Sequence, residues 1–191
     1  MKNIIADHAE KGAKLRLDTF RSQAGKIELA AKLVAESLSQ GGKILLCGNG
    51  GSAADAQHLA AEWVNRFRLE RPGLAAIALT IDASVMTSVS NDYGYEQIFA
   101  RQIKALGREG DVLIAISTSG RSPNVLMACE VAKELKLDVV GMCGAADSPL
   151  EDLSDIAIIV DGASTALIQE VQIAVGHMLC DLSERLLFPD Q

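Results

Sequence analysis

Short unbroken apolar runs alternate along this chain with longer stretches in which apolar residues recur every three to four positions. The unbroken runs lie at 44–47, 75–79, 112–117, 139–143 and 156–160, the third reading VLIAIS behind Asp111. Runs too short for a helix, with almost no polar interruption, are what strands buried on both faces require. Helical spacing marks the Ala-rich stretch after Ser52 and residues 95–106, 123–135 and 165–187, with Ser164 or Thr165 placed to cap the last. Residues 80–91 hold turn and capping residues, and Asn91, Asp92 and Gly94 mark a loop. Strands alternating with helices predict an α/β fold: a five-stranded parallel sheet, doubly wound, between two helical layers.

Residues 1–40 carry no strand signal. Ile27, Ala31, Val34 and Leu38 fall on one helical face, Gly25 is expected to separate or kink two helices, and Gly41 with Gly42 ends the second. This helical arm precedes one domain spanning 41–191. It is placed either to pack against another subunit or to cover its own sheet. His8, within it, reads as a plain helix residue.

The chemistry concentrates in KILLCGNGGSAADAQHLAAE, residues 43–62. Asn49, Gly50 and Gly51 follow the strand at once, and Ser52 reads as the N-cap of the next helix. Such a loop leaves backbone N–H groups and the positive helix end facing the space above the strand, which suits a phosphate. The same glycines would also serve a tight βα turn that binds nothing. No Lys-Ser/Thr pair closes the loop, and its glycine spacing is not that of a dinucleotide site. His58 and Glu62, four residues apart, share a helical face roughly 6 Å from each other. That spacing suits two ligands of one metal, an acid and a base flanking one substrate, or a simple surface pair. Arg66 continues the spacing, whereas Arg68 and Arg71 read as a solvated charged helix end before Pro72 and Gly73.

A second strand-to-helix loop holds Ser117, Thr118, Ser119, Gly120, Arg121 and Ser122. An ST-rich loop can do no more than cap its own helix. Both loops, however, fall at the carboxyl ends of parallel strands, where ligands of such sheets bind, and a shared phosphate site is the expectation. The last helix carries Gln169, Glu170, Gln172 and His177. Gln169 and His177 stand about 12 Å and about 80° apart on a straight helix, so a centre using both is expected to lie between chains. His177 taken alone reads as a packed core residue.

Composition narrows the classes. With 49% hydrophobic and 23% charged residues, 191 positions describe one soluble domain with a substantial core. The formal charge of −7 and the lack of a basic cluster disfavour direct nucleic-acid binding. Neither a signal peptide nor a 20-residue apolar span is read, so a cytoplasmic protein without membrane contact is expected. Cys47, Cys129, Cys143 and Cys180 lack CxxC spacing and read as reduced core residues.

Taken together, GNGGSAADAQHLAAE, NRF, ERPGLAAIALT, SNDYGYEQIFARQ, LGREGDVLIAISTSG and LIQE resemble the bacterial phosphoheptose isomerases of the sugar isomerase (SIS) family, over nearly the whole chain. The resemblance implies conversion of sedoheptulose 7-phosphate to D-glycero-D-manno-heptose 7-phosphate through a cis-enediol, the first step of bacterial heptose biosynthesis toward lipopolysaccharide. It implies a homotetramer with active sites at subunit boundaries and the arm used in oligomerisation. Ser52, Ser117, Thr118, Ser119 and Ser122 match the phosphate-binding residues, in loops that include Gly50 and Gly51, and Asn49, Arg66, Asp92 and Gln169 match the sugar contacts. Glu62 matches the general base and His177 the general acid. In members carrying zinc, His58, Glu62, Gln169 and His177 match the ligands of one Zn²⁺ per site. Three positions depart from the usual pattern: Leu167 for an arginine, Gln172 for a frequent histidine and Arg121 for a frequent asparagine. The ending CDLSERLLFPDQ is similar to that of a related SIS scaffold, the DnaA initiator-associating protein. That scaffold lacks the acid and base positions kept here, so catalysis is expected over scaffolding.

Overall fold

The five apolar runs become β1 (Ile44–Gly48), β2 (Ala76–Ala78), β3 (Val112–Ser117), β4 (Asp138–Cys143) and β5 (Ile156–Ile159) of a computed structural model that describes residues 1–190. Gln191, which closes the expected domain, lies outside the described residues. All strand pairs are parallel, in the order β2-β1-β3-β4-β5. The helices are α1 (Lys2–Ser22), α2 (Ala24–Ser39), α3 (Gly51–Val64), α4 (Ala83–Tyr93), α5 (Ile98–Leu106), α6 (Pro123–Glu134), α7 (Pro149–Leu153) and α8 (Thr165–Leu187).

Side chains alternate across a strand, and each face of this sheet is covered. Ile44, Leu46, Val112 and Ile114 pack with Ile27, Val34, Leu59, Trp63, Val175 and Leu179 from α2, α3 and α8. Leu45, Cys47, Leu113 and Val139 pack on the other face with Phe99, Ile103, Val125 and Val131 from α5 and α6. Both sets of alternate residues therefore need to be apolar, and β1 and β3 are buried at every position. From β1 the chain steps outward to β2 and then returns to the opposite side of β1 as β3. The loops leaving β1 and β3 feed helices on opposite faces, α3 and α6. A crevice opens there at the carboxyl ends of the strands, the place where doubly wound sheets bind ligands.

Several elements differ from expectation. The N-terminal break falls at Gln23; Gly25 lies inside the first turn of α2. The arm itself divides. Ile27, Ala30, Ala31 and Val34 bury α2 against α8 and the sheet, while α1 buries only Thr19 and leaves Ile4 and Ile5 exposed. Residues 83–93, read as part of a loop, form α4, started by the Asp82 side chain accepting from Val85 N at 3.0 Å and stopped at Gly94 with φ 96°. The 95–106 helix begins as a 3-10 turn, Tyr95–Gln97. A further short helix, α7, is capped by Ser148. The four cysteines are free and buried, and among the described residues no helix is long and apolar enough to cross a membrane.

Candidate active site

The first loop turns on Gly50, whose φ of 57° a side chain would strain. Gly50 is itself the cap position of α3, and Ser52, expected there, is the second residue of the helix with its side chain buried. A Cβ on Gly51 would stand 2.5 Å from the Gln169 amide, so α8 approaches the start of α3 only because residue 51 has none. In the second loop, Ser117 Oγ lies 3.1 Å from Ser122 Oγ and 3.3 Å from Ser119 Oγ, three hydroxyls converging at the N-terminus of α6. Thr118 is half-buried between them.

Two asparagines join the loops. Asn49 Nδ2 donates to Asn124 Oδ1 and Asn124 Nδ2 donates back to Asn49 Oδ1, both at 2.8 Å, and Tyr95 OH donates to Asn49 Oδ1 at 3.1 Å. Asn124 is buried. The amide pair thus holds the β1 and β3 loops at one separation.

Further along α3, the side chains meet α8, which runs beside it in the same direction. Gln169 Nε2 donates to Asp55 Oδ1 at 3.3 Å, Leu59 packs on Gly176, and Trp63 Nε1 donates to Ser183 Oγ at 3.1 Å. His58 Nε2 lies 2.9 Å from His177 Nε2 and 3.5 Å from Glu62 Oε1. Glu62 and His177 therefore flank one imidazole nitrogen within a single chain. The helix-geometry expectation that Gln169 and His177 are far apart holds, since Gln169 sits by Asp55 and His177 by His58. Burial, followed by the neighbouring His58, pushes the His177 imidazole below its ordinary pKa, and Arg16 adds to this against the pull of Glu62. Burial likewise raises the Asp55 carboxyl, against the Gln169 hydrogen bond and His58.

The SIS domain family profile matches residues 8–144. Phosphoheptose isomerase of Nitratidesulfovibrio vulgaris strain Hildenborough is 51% identical over 187 residues, covering 98% of this chain and 90% of the relative. That of Thiobacillus denitrificans is 52% identical over 186 residues, covering 96% and 94%. The structure of phosphoheptose isomerase from Neisseria gonorrhoeae superimposes with a TM-score of 0.91 at 39% identity, covering 96% of this chain and 98% of that one. The chain belongs to the phosphoheptose isomerases of the SIS domain family.

For a phosphoheptose isomerase, an enzyme rather than a scaffold, two expected site residues are engaged by near neighbours in the chain. α3 ends at Val64, with Asn65 at φ −85° and ψ −91°, so Arg66 leaves the helical face of Glu62 and pairs with Glu70 at 3.3 Å. Asp92 accepts from Asn91 Nδ2 on the exposed end of α4. The donor chemistry of His58, Glu62 and His177 suits zinc, but the geometry does not close. Two imidazole nitrogens 2.9 Å apart are nearer than the roughly 3.3 Å edge of a tetrahedral zinc site, and the Gln169 amide is turned to Asp55. Among the described residues, no group of three or more His, Cys, Asp or Glu side chains is arranged around a metal position.

Sequence reasoning missed Asn124, Asp55 and Arg71. Arg71, read as solvated, is buried against Glu184; nothing in a run of charged residues distinguishes it, and its partner lies more than a hundred positions away. Phe67 among three arginines was the available sign, since its ring stacks on His177 at 5.5 Å and 26°. His8, read as a plain helix residue, reaches Glu170 at 3.1 Å and ties α1 to α8. Leu167 is buried beside Gly12 of α1, and Gln172 is buried with Nε2 donating to Met142 O at 3.0 Å.

Proposed function

We propose that this phosphoheptose isomerase interconverts sedoheptulose 7-phosphate and D-glycero-D-manno-heptose 7-phosphate in the cytoplasm, with Glu62 as the base and His177 as the acid. Glu62 takes the proton from C1 while His177 protonates the C2 carbonyl oxygen, giving the cis-enediol. Return of the carbon-bound proton to C2 and loss of the C1 hydroxyl proton complete the aldose. The observation that carries this reading is the approach of Glu62 and His177 to the same His58 nitrogen, at 3.5 and 2.9 Å. The phosphate, held by Ser52, Ser117, Thr118, Ser119 and Ser122 with the backbone of Gly50 and Gly51, supplies binding energy remote from the reacting carbons. Asn49 and Gln169 contact the sugar.

His58, Glu62, Gln169 and His177 carry the donor chemistry that would hold one Zn²⁺ per site. When bound it would polarise the substrate carbonyl. Arg66, paired with Glu70, Asp92, paired with Asn91, and the exposed face of α1 are read as contributions to subunit boundaries of a homotetramer. Glu62→Gln is the deciding experiment. Product formation followed by NMR is expected to vanish while sugar-phosphate binding stays within a few-fold; undiminished turnover removes Glu62 from the mechanism.

A further inference from the structure

Arg71 and Glu184 form an ion pair, Nε to Oε1 2.8 Å, with both side chains only 1% exposed. Such a pair is a poor source of stability, because desolvating two charges roughly cancels their attraction. Its remaining hydrogen bonds reveal more. Arg71 Nη2 donates to Glu62 O at 3.0 Å, and Nη1 donates to Trp63 O at 2.7 Å and Pro72 O at 3.0 Å. Glu62 and Trp63 lie in the last turn of α3, whose carbonyls have no partner within the helix. Glu184 accepts from the backbone N–H of Phe67, Arg68 and Leu69 at 3.0, 2.9 and 3.0 Å.

The pair therefore strings the turn after α3 between the helix that carries Glu62 and the helix that carries His177. Phe67, inside that turn, stacks on the His177 ring. Glu184 stands two helical turns beyond His177, within about 20° of it in azimuth, so one face of α8 holds both the acid and the anchor. Burial pushes the Glu184 carboxyl up, but the N–H groups of Leu69, Arg68 and Phe67 and the Arg71 guanidinium outweigh it and hold the group below its ordinary range.

We propose that the Arg71–Glu184 pair is a positioning device for the isomerisation, fixing the end of α3 behind Glu62 and pressing Phe67 against His177 so that base and acid keep one separation. This rests on the assignment of Glu62 and His177 as base and acid. Small displacements of such groups cost rate steeply, while the phosphate cradle, at the opposite end of α3, is left in place. Arg71 and Glu184 are positioning residues and do not touch substrate.

Arg71→Lys keeps the charge opposite Glu184 but cannot reach three carbonyls at once, and Phe67→Leu leaves the pair intact while removing the ring. Both would be measured for folding by circular dichroism and for kcat and KM with sedoheptulose 7-phosphate, beside Glu62→Gln and His177→Asn. The expected result is a kcat at least ten-fold lower in Arg71→Lys and several-fold lower in Phe67→Leu, with KM changed less than two-fold in each. A folded Arg71→Lys with wild-type kcat and only a lower melting temperature overturns the inference. Should Arg71→Lys fail to fold, Phe67→Leu decides, and an unchanged kcat there overturns it. Full turnover in Glu62→Gln or His177→Asn would instead overturn the acid–base assignment, and this inference with it.

Discussion

Asn124→Ala would cut the amide pair that joins the two loops. Two reciprocal hydrogen bonds of 2.8 Å are lost, each contributing about 1 kcal/mol net between neutral groups. Asn49 keeps only the Tyr95 hydroxyl on its oxygen, and its Nδ2 is left without the partner it had. The expected destabilisation is about 2 kcal/mol, which for a chain of this length lowers the melting temperature by about 4–8 °C. Because the loops are no longer held together, KM for the sugar phosphate should rise by more than kcat falls. The clean measurement is a double-mutant cycle of Asn49→Ala and Asn124→Ala in urea, where shared bonds give a coupling of about 1–2 kcal/mol. Additive effects within about 0.5 kcal/mol would refute the idea that these two amides form the link.

Gly51→Ala puts a methyl 2.5 Å from the Gln169 amide, so the side chain must move; the purified variant should remain folded by circular dichroism and lose most of its turnover. His58→Ala should lower the zinc recovered with protein purified without chelator, measured by elemental analysis, and an unchanged zinc content would exclude His58 as a ligand. Glu184, whose carboxyl is held below its ordinary pKa, contributes stability that is present above the ordinary value of about 4.3 and is lost as pH falls through the lower folded value. Urea titrations from pH 6 to pH 3 should therefore show a shallower loss of stability in Glu184→Gln than in the parent chain, and equal slopes would count against the ionised pair.

How much of this could be read without a structure follows from where the information resides. VLIAIS and ILLC announce β3 and β1 because a strand covered on both faces needs an apolar residue at every position, and that is a local property. The two loops were equally legible as strand-to-helix turns, since glycines and small hydroxyl residues directly after a buried strand end it and start a helix. α4 escaped because it buries no residue and so has no apolar stripe to show. Ser52 is not the cap because Gly50, two positions before it, takes the turn at φ 57°, a conformation no propensity scale assigns to one glycine of three.

The amino-acid sequence alone determined the alternation of elements, the parallel sheet and the two glycine- and hydroxyl-rich loops at the carboxyl ends of β1 and β3, since each depends on neighbours along the chain. Only the tertiary structure decided that Asn49 meets Asn124, that His58 meets His177, and that Arg71 is buried on Glu184. Those contacts join residues 75 to 119 positions apart, and they exist because α3 and α8 lie side by side and because strand order brings the β1 and β3 loops to one crevice. Charge and spacing in one dimension carry no record of which distant helix will stand opposite.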